Sequence, residues 1–148
     1  ECHSCKRVKE KKDLIFESNK FSVFLADDQT YLGRCFIDAE RHVQSLSELS
    51  KDEWIDFGEL VKKYETALKK SFAPELFNWS SSMNNTFNES IPDPHVHFHF
   101  RPRYSKIINF AGIEFKDPNF GHHYERSVDK KVSEEVKKKI IEKIKKNL

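Results

Sequence analysis

Pro94-His95-Val96-His97-Phe98-His99-Phe100 alternates imidazoles with apolar side chains through its whole length. On an extended strand successive side chains point to opposite faces, so His95, His97 and His99 share one side and Val96, Phe98 and Phe100 the other. The apolar side can pack under a helix, which leaves the three imidazoles together on an open face. Charged rings so close would repel, so the arrangement favours neutral imidazoles and rewards a bound anion or a metal. Neutral imidazole is both the nucleophilic and the metal-ligating form, and spacing alone does not separate those two chemistries. Arg101 and Arg103 follow directly, with guanidinium geometry suited to phosphate oxygens. Asn84 and Asn85 lie upstream, across a predicted hairpin, and offer amides to a ribose or phosphate.

Working outward, Leu14-Ile15-Phe16, Phe21 to Leu25 and Tyr31 to Ile37 are aromatic and β-branched runs separated by turn-prone residues, and they read as antiparallel strands. Ser50 with Glu53 forms a capping box, after which Trp54, Phe57, Val61, Tyr64 and Leu68 recur at helical spacing as far as Ala73-Pro74. Leu76 to Met83 and Pro94 to Arg101 read as two further strands. Residues 102 to 131 read as irregular. Ser133 opens a second helix with Val136, Ile140, Ile144 and Leu148 on one face. This order predicts an α+β domain: an antiparallel sheet with a long helix on one face, and a C-terminal helical extension.

The bulk composition narrows the chemistry. The 148 residues suffice for one domain with a real core, and thirteen Phe suggest that it is aromatic. With four Gly there is neither a P-loop nor a dinucleotide-binding glycine run. The net charge of +2 names no partner. Lys137, Lys138, Lys139, Lys143, Lys145 and Lys146 read as a solvated helix face; nucleic acid is unsupported as a partner, and no apolar run is long enough for a membrane. Three cysteines suit a reducing compartment, so the cytoplasm is expected, and the sequons at Asn78, Asn84 and Asn88 carry no weight there. Cys35 reads as a small core residue and His122-His123 as loop surface. Cys2-x-x-Cys5 has zinc spacing but needs two further ligands; exposed thiols or a redox pair are its other readings.

The alternating histidines, with a helix ahead and an Asn upstream, resemble the motif of the histidine-triad (HIT) superfamily of nucleotide hydrolases and nucleotidyl transferases. The resemblance spans roughly residues 1–104, leaving 105–148 as an extension packed on the same domain. It implies a HIT-like hydrolase cleaving a nucleoside 5′-phosphoryl bond, of a dinucleoside polyphosphate or a nucleoside phosphoramidate, with His97 as the nucleophile that forms a nucleotidyl-histidine. His99 would bind phosphate oxygens, and the backbone carbonyl of His95 would fix the tautomer of His97. Asn84 would touch the nucleotide, and Asp27-Asp28 fall near the ribose-binding region. The resemblance also implies a homodimer. It completes the zinc set as Cys2, Cys5, His42 and His95, a structural Zn2+ site because four protein ligands leave no open position; His3, beside the thiols, is a substitute ligand. Two segments depart from the family. The small-Gly-Gln-[Ser/Thr] donors before the triad are replaced by Ser90-Ile91-Pro92-Asp93, and a Gly-His pair before the third strand reads Gly33-Arg34. The first departure motivates an alternative, a nucleotide-binding sensor or adaptor with little turnover.

Overall fold

The computed structural model describes residues 2–148. Its centre is a five-stranded, wholly antiparallel sheet built from β1 (Leu14–Glu17), β2 (Phe21–Leu25), β3 (Cys35–Ala39), β4 (Leu76–Ser80) and β5 (His97–Arg103), in the order β1-β2-β3-β5-β4. The histidine strand β5 therefore lies inside the sheet, between β3 and β4. The long helix α2 (Lys51–Phe72) covers one face and begins at the capping box: Ser50 Oγ accepts from Glu53 N–H, and the Glu53 carboxylate accepts from Ser50 N–H. Phe98 stacks on Phe57 of α2 at 4.1 Å, and Phe100 meets Tyr64 edge-on at 5.1 Å. Burying each such ring contributes about 1.5–3 kcal/mol. The buried stripe of α2 runs through Leu60, Tyr64, Ala67 and Leu68, so Leu60 takes the place predicted for Val61, and Trp54 stays exposed.

Several boundaries differ from the sequence reading. The third strand starts at Cys35 because residues 31–33 turn: Arg34 N–H reaches Tyr31 O, and Gly33 sits at φ +89° with its N–H on Gln29 Oε1. A side chain at Gly33 would need that left-handed backbone and a Cβ 2.8 Å from Leu68 Cδ1. The fourth strand stops at Ser80. The fifth runs on to Arg103, while Val96 pairs with Val43 and Ala39 just ahead of the ladder.

The N-terminal residues form a helix that the sequence reading missed, α1 (His3–Glu10). It is short and polar; the ion pair from Arg7 to the fully buried Asp38 on β3 anchors it. Within the segment read as irregular, β6 (Ile108–Phe110) and β7 (Ile113–Phe115) form a hairpin across Ala111 and Gly112, both with positive φ. Three-residue strands are too short for alternation to be visible.

Helix α3 (Glu134–Lys146), capped by Ser133 as predicted, packs on β1 and α2 through Val136, Ile140 and Ile144. Lys137 departs from its reading as part of a solvated face. It is 3% exposed, and its ammonium binds Asp13, Asp27 and Glu134. Among the described residues no helix is long and apolar enough to cross a membrane.

Candidate functional site

On the sheet face away from α2, His97, His99 and Arg101 follow one another along β5 and line a cleft of about 890 Å³. Cross-strand pairing sets Asp38 opposite His97 and Phe36 opposite His99 on one side, with Ser80 opposite His99 on the other. Ser81 Oγ donates to the carbonyl of His97 and holds the strand from that edge.

His97 Nδ1 lies 2.8 Å from the backbone carbonyl of His95. A carbonyl only accepts, so Nδ1 carries the proton in the neutral ring and Nε2 keeps its lone pair. The adjacent ring of His99 stands 5.0 Å away, edge to face. Burial, then the neighbouring His97, Arg101 and Arg34, pushes the His99 pKa down to about 4, so it is neutral at physiological pH. Its Nδ1 is buried with no hydrogen-bond partner among the described residues. Native structures rarely leave such an atom unpaired unless a ligand or water meets it.

All three triad residues line the cleft, as the alternation suggested, but they are not equally open to it. His95 is 4% exposed and turns toward the N-terminal helix. Its Nδ1 is 3.3 Å from Cys2 Sγ and 3.4 Å from Cys5 Sγ, and Cys5 Sγ is 3.2 Å from His42 Nδ1. The ligand atoms of Cys2, Cys5, His42 and His95 all lie within 4.8 Å of one another. Two soft thiolates and two imidazole nitrogens so arranged suit a tetrahedral metal site of zinc type. The outer contacts agree with this. His95 Nε2 faces the carbonyl of Ala39 at 2.8 Å and His42 Nε2 faces Asp93 at 3.1 Å, which leaves each Nδ1 free to ligate. Burial and the neighbouring Cys2 thiol push Cys5 up to about 11, a cost that a bound cation removes. His3 stays outside the cluster, exposed and near Glu89, and no cluster among the described residues uses all three triad histidines.

The other predicted positions divide. Asn84 and Asn85 line the cleft at the start of a 3₁₀ turn, and Arg101 lines it from the strand. Asp27 does not. Its carboxylate is committed to Lys137, whose ammonium holds its pKa below the usual carboxylate range. The neighbouring Asp28 reaches the cleft instead, tied to Thr30, Lys130 and Arg34. Arg103 turns away into a buried network. Arg34, Tyr124 and Arg126 also line the cleft; the sequence reading met Arg34 only as a departure from the family's Gly-His pair and Tyr124 only as an aromatic able to pack on the sheet or stack on a base, and it missed Arg126. Arg34 shares a face with the triad through β-sheet register, a signal that needs the strand pairing; Arg126 comes from an irregular segment with no local signal.

A HIT domain family model matches residues 7–106 of the chain. No curated protein matches the sequence. Among solved structures, a histidine triad (HIT) protein from Sinorhizobium meliloti is similar at 16% identity, covering 97% of this chain and 94% of that one, with a TM-score of 0.72. A hypothetical histidine triad nucleotide-binding protein from Sulfolobus tokodaii is 16% identical over 99% and 91% of the two chains, with a TM-score of 0.70. A Zn-bound histidine triad family protein from Mycobacterium smegmatis is 13% identical over 99% and 91%, with a TM-score of 0.61. At these identities the likeness is one of fold.

Proposed function

The chain belongs to the HIT domain family, and from that premise we propose that it hydrolyses nucleoside 5′-phosphoryl bonds through a nucleotidyl-histidine at His97. One observation carries the reading: the 2.8 Å contact of His97 Nδ1 with the His95 carbonyl, which leaves Nε2 unprotonated beside the cleft. Nε2 attacks the α-phosphorus of a bound dinucleoside polyphosphate or nucleoside phosphoramidate, the leaving group departs, and water cleaves the P–N bond. The neutral ring of His99 hydrogen-bonds a phosphate oxygen, and the amides of Asn84 and Asn85 contact the nucleotide. Nucleotide binding is the property the solved Sulfolobus tokodaii protein carries in its description.

Cys2, Cys5, His42 and His95 would hold Zn2+, the metal the Mycobacterium smegmatis protein is described as binding. These four residues would use such an ion to tie the N-terminal helix and the loop after β3 to the residue that orients His97, a structural role because four protein ligands would leave no open position. Assembly as a homodimer and residence in the cytoplasm belong to the same reading, and sedimentation tests the first.

A second reading, a nucleotide-binding sensor or adaptor with little turnover, is favoured by Asp93. That carboxylate lines the cleft in the segment where the family carries neutral donors. Product release from adenosine phosphoramidate and diadenosine polyphosphates, with His97→Ala alongside, decides between them. The variant is expected to lose turnover by about a thousand-fold or more while its circular dichroism is preserved. Turnover undiminished in the variant sinks the nucleotidyl-histidine route; tight AMP binding without release by either protein establishes the sensor.

A further inference from the structure

Arg101 is 6% exposed, yet its guanidinium makes no hydrogen bond or ion pair among the described residues. Its guanidinium instead lies 3.8 Å over the ring of Tyr124. The Tyr124 hydroxyl accepts from Arg126 Nη2 at 3.1 Å, and the segment carrying both is pinned to the sheet by Glu125 N–H donating to the buried Tyr31 hydroxyl at 2.7 Å. From the other side comes Arg34. One of its nitrogens pairs with Asp28 at 2.7 Å, while its Nε is buried with no hydrogen-bond partner among the described residues. Glu125, the carboxylate between Tyr124 and Arg126, accepts from the backbone N–H and hydroxyl of Ser127. Three guanidiniums thus line one wall of the cleft, and of the three only Arg34 pairs with a carboxylate among the described residues. Burial and the charges of Arg34 and Arg126 lower the pKa of Arg101 to about 10, which still leaves it charged at neutral pH. Buried charge without a counterion is costly, so a site built this way is completed by an anion.

The wall has a definite position relative to the reacting centre. Arg101 is four residues beyond His97 on the same face of β5, about 13 Å along the strand, with His99 between them. Both Arg34 and Arg101 are close enough to His99 to depress its pKa. An anion reaching from His97 past His99 meets the guanidiniums next.

We propose that Arg34, Arg101 and Arg126, clamped by Tyr124, form a second anion subsite that takes the phosphate-bearing leaving group and sets the preference for nucleoside polyphosphates over substrates that release an amine. The inference rests on the nucleotidyl-histidine reading. In the first step the Nε2–P bond forms and the bridging P–O bond breaks, its electron pair remaining on the departing phosphate oxygen beside the arginines. In the second, water attacks phosphorus, the P–N bond breaks with its pair returned to Nε2, and the nucleoside monophosphate leaves with one proton released to solvent. The arginines act where negative charge grows, which is where fixed cations accelerate most. The C-terminal segment thereby acquires a role: it supplies Tyr124 and Arg126.

The test compares kcat/KM for diadenosine tetraphosphate and adenosine phosphoramidate in the full chain and in Arg126→Ala and Arg101→Met. The polyphosphate-to-phosphoramidate ratio is expected to fall about tenfold in Arg126→Ala, at an exposed position, and further in Arg101→Met. An unchanged ratio in both overturns the subsite. Calorimetric binding of inorganic tripolyphosphate reads the subsite without chemistry: weaker binding by both variants supports it, equal binding overturns it. If the unsubstituted chain turns over neither nucleotide, the hydrolase reading falls, and the tripolyphosphate result alone decides the subsite.

Discussion

Arg101 and Arg103 leave the same strand on the same face, two residues apart, and enter opposite environments. Arg103 is fully buried beneath the C-terminal segment. Its Nε and Nη2 bind both oxygens of Asp117, at 2.6 and 3.1 Å. Asn78 Oδ1 and the carbonyls of Asn119 and His122 take its remaining donors at 2.8 to 2.9 Å. Arg101 is nearly as buried and has no such partner. The same contrast separates His95, with both ring nitrogens engaged, from His99, whose Nδ1 has none. A closed polar network holds the fold, whereas an open one in a cleft is arranged for something that arrives later. The two kinds of site should respond oppositely to substitution.

The largest effect is expected at the closed Cys-His cluster. A metal held there would link α1, the loop after β3 and His95, and structural zinc contributes several kcal/mol to folding. Chelation should lower the thermal midpoint by roughly 10 °C or more at 2–4 °C per kcal/mol, as followed by circular dichroism; a midpoint that ignores chelator would remove this site from the closed class. Next comes Asp117→Asn, which leaves the Arg103 charge buried without its counterion. A loss of about 3–5 kcal/mol in urea unfolding is expected, and a loss below 1 kcal/mol would erase the contrast with Arg101.

A smaller effect follows from His99. Its pKa of about 4 lies below the ordinary histidine value of about 6.5, so the folded state holds the neutral ring. The stability this contributes is present above pH 6.5 and is lost as pH falls from there through about 4. His99→Asn should flatten the pH dependence of the thermal midpoint in that window; parallel curves for the two proteins would show that His99 does not titrate there. The smallest change in stability is expected for Arg101→Met. It removes a charge repelled by Arg34 and Arg126 and keeps most of the volume, so unfolding free energy should stay within about 1 kcal/mol of the parent or rise. A loss as large as that of Asp117→Asn would make Arg101 a structural residue like its neighbour.

Much of this was legible in the chain because its signals are local. The capping box at Ser50 and Glu53, the apolar recurrence through Tyr64 and Leu68, the Ser133 cap and the alternation of residues 95–100 each depend on near neighbours, and each element formed. The readings that failed required distant partners. α1 is polar and depends on Asp38, which lies 31 residues beyond Arg7. Lys137 looked solvated because the carboxylates that bury it, Asp13 and Asp27, come from the other end of the chain. Asp27 was misplaced for the same reason, since which of two adjacent aspartates faces the cleft depends on what claims the other.

What the sequence by itself determined is the α+β class, the histidine strand with its apolar back, and the thiol pair Cys2-x-x-Cys5 at zinc spacing, because periodicity and side-chain chemistry are properties of short stretches; the resemblance to the HIT superfamily added His42 and His95 to that pair. The tertiary structure brought the ligand atoms of that set within 4.8 Å of one another and turned the buried ring of His95 toward the N-terminal helix, while His97 and His99 stay partly exposed along the cleft. It alone brought Arg34, Tyr124 and Arg126 to the wall beside Arg101. Those assignments rest on which polar atoms find partners once the backbone has packed, and a partner 20 to 100 residues away leaves no periodic trace in the chain.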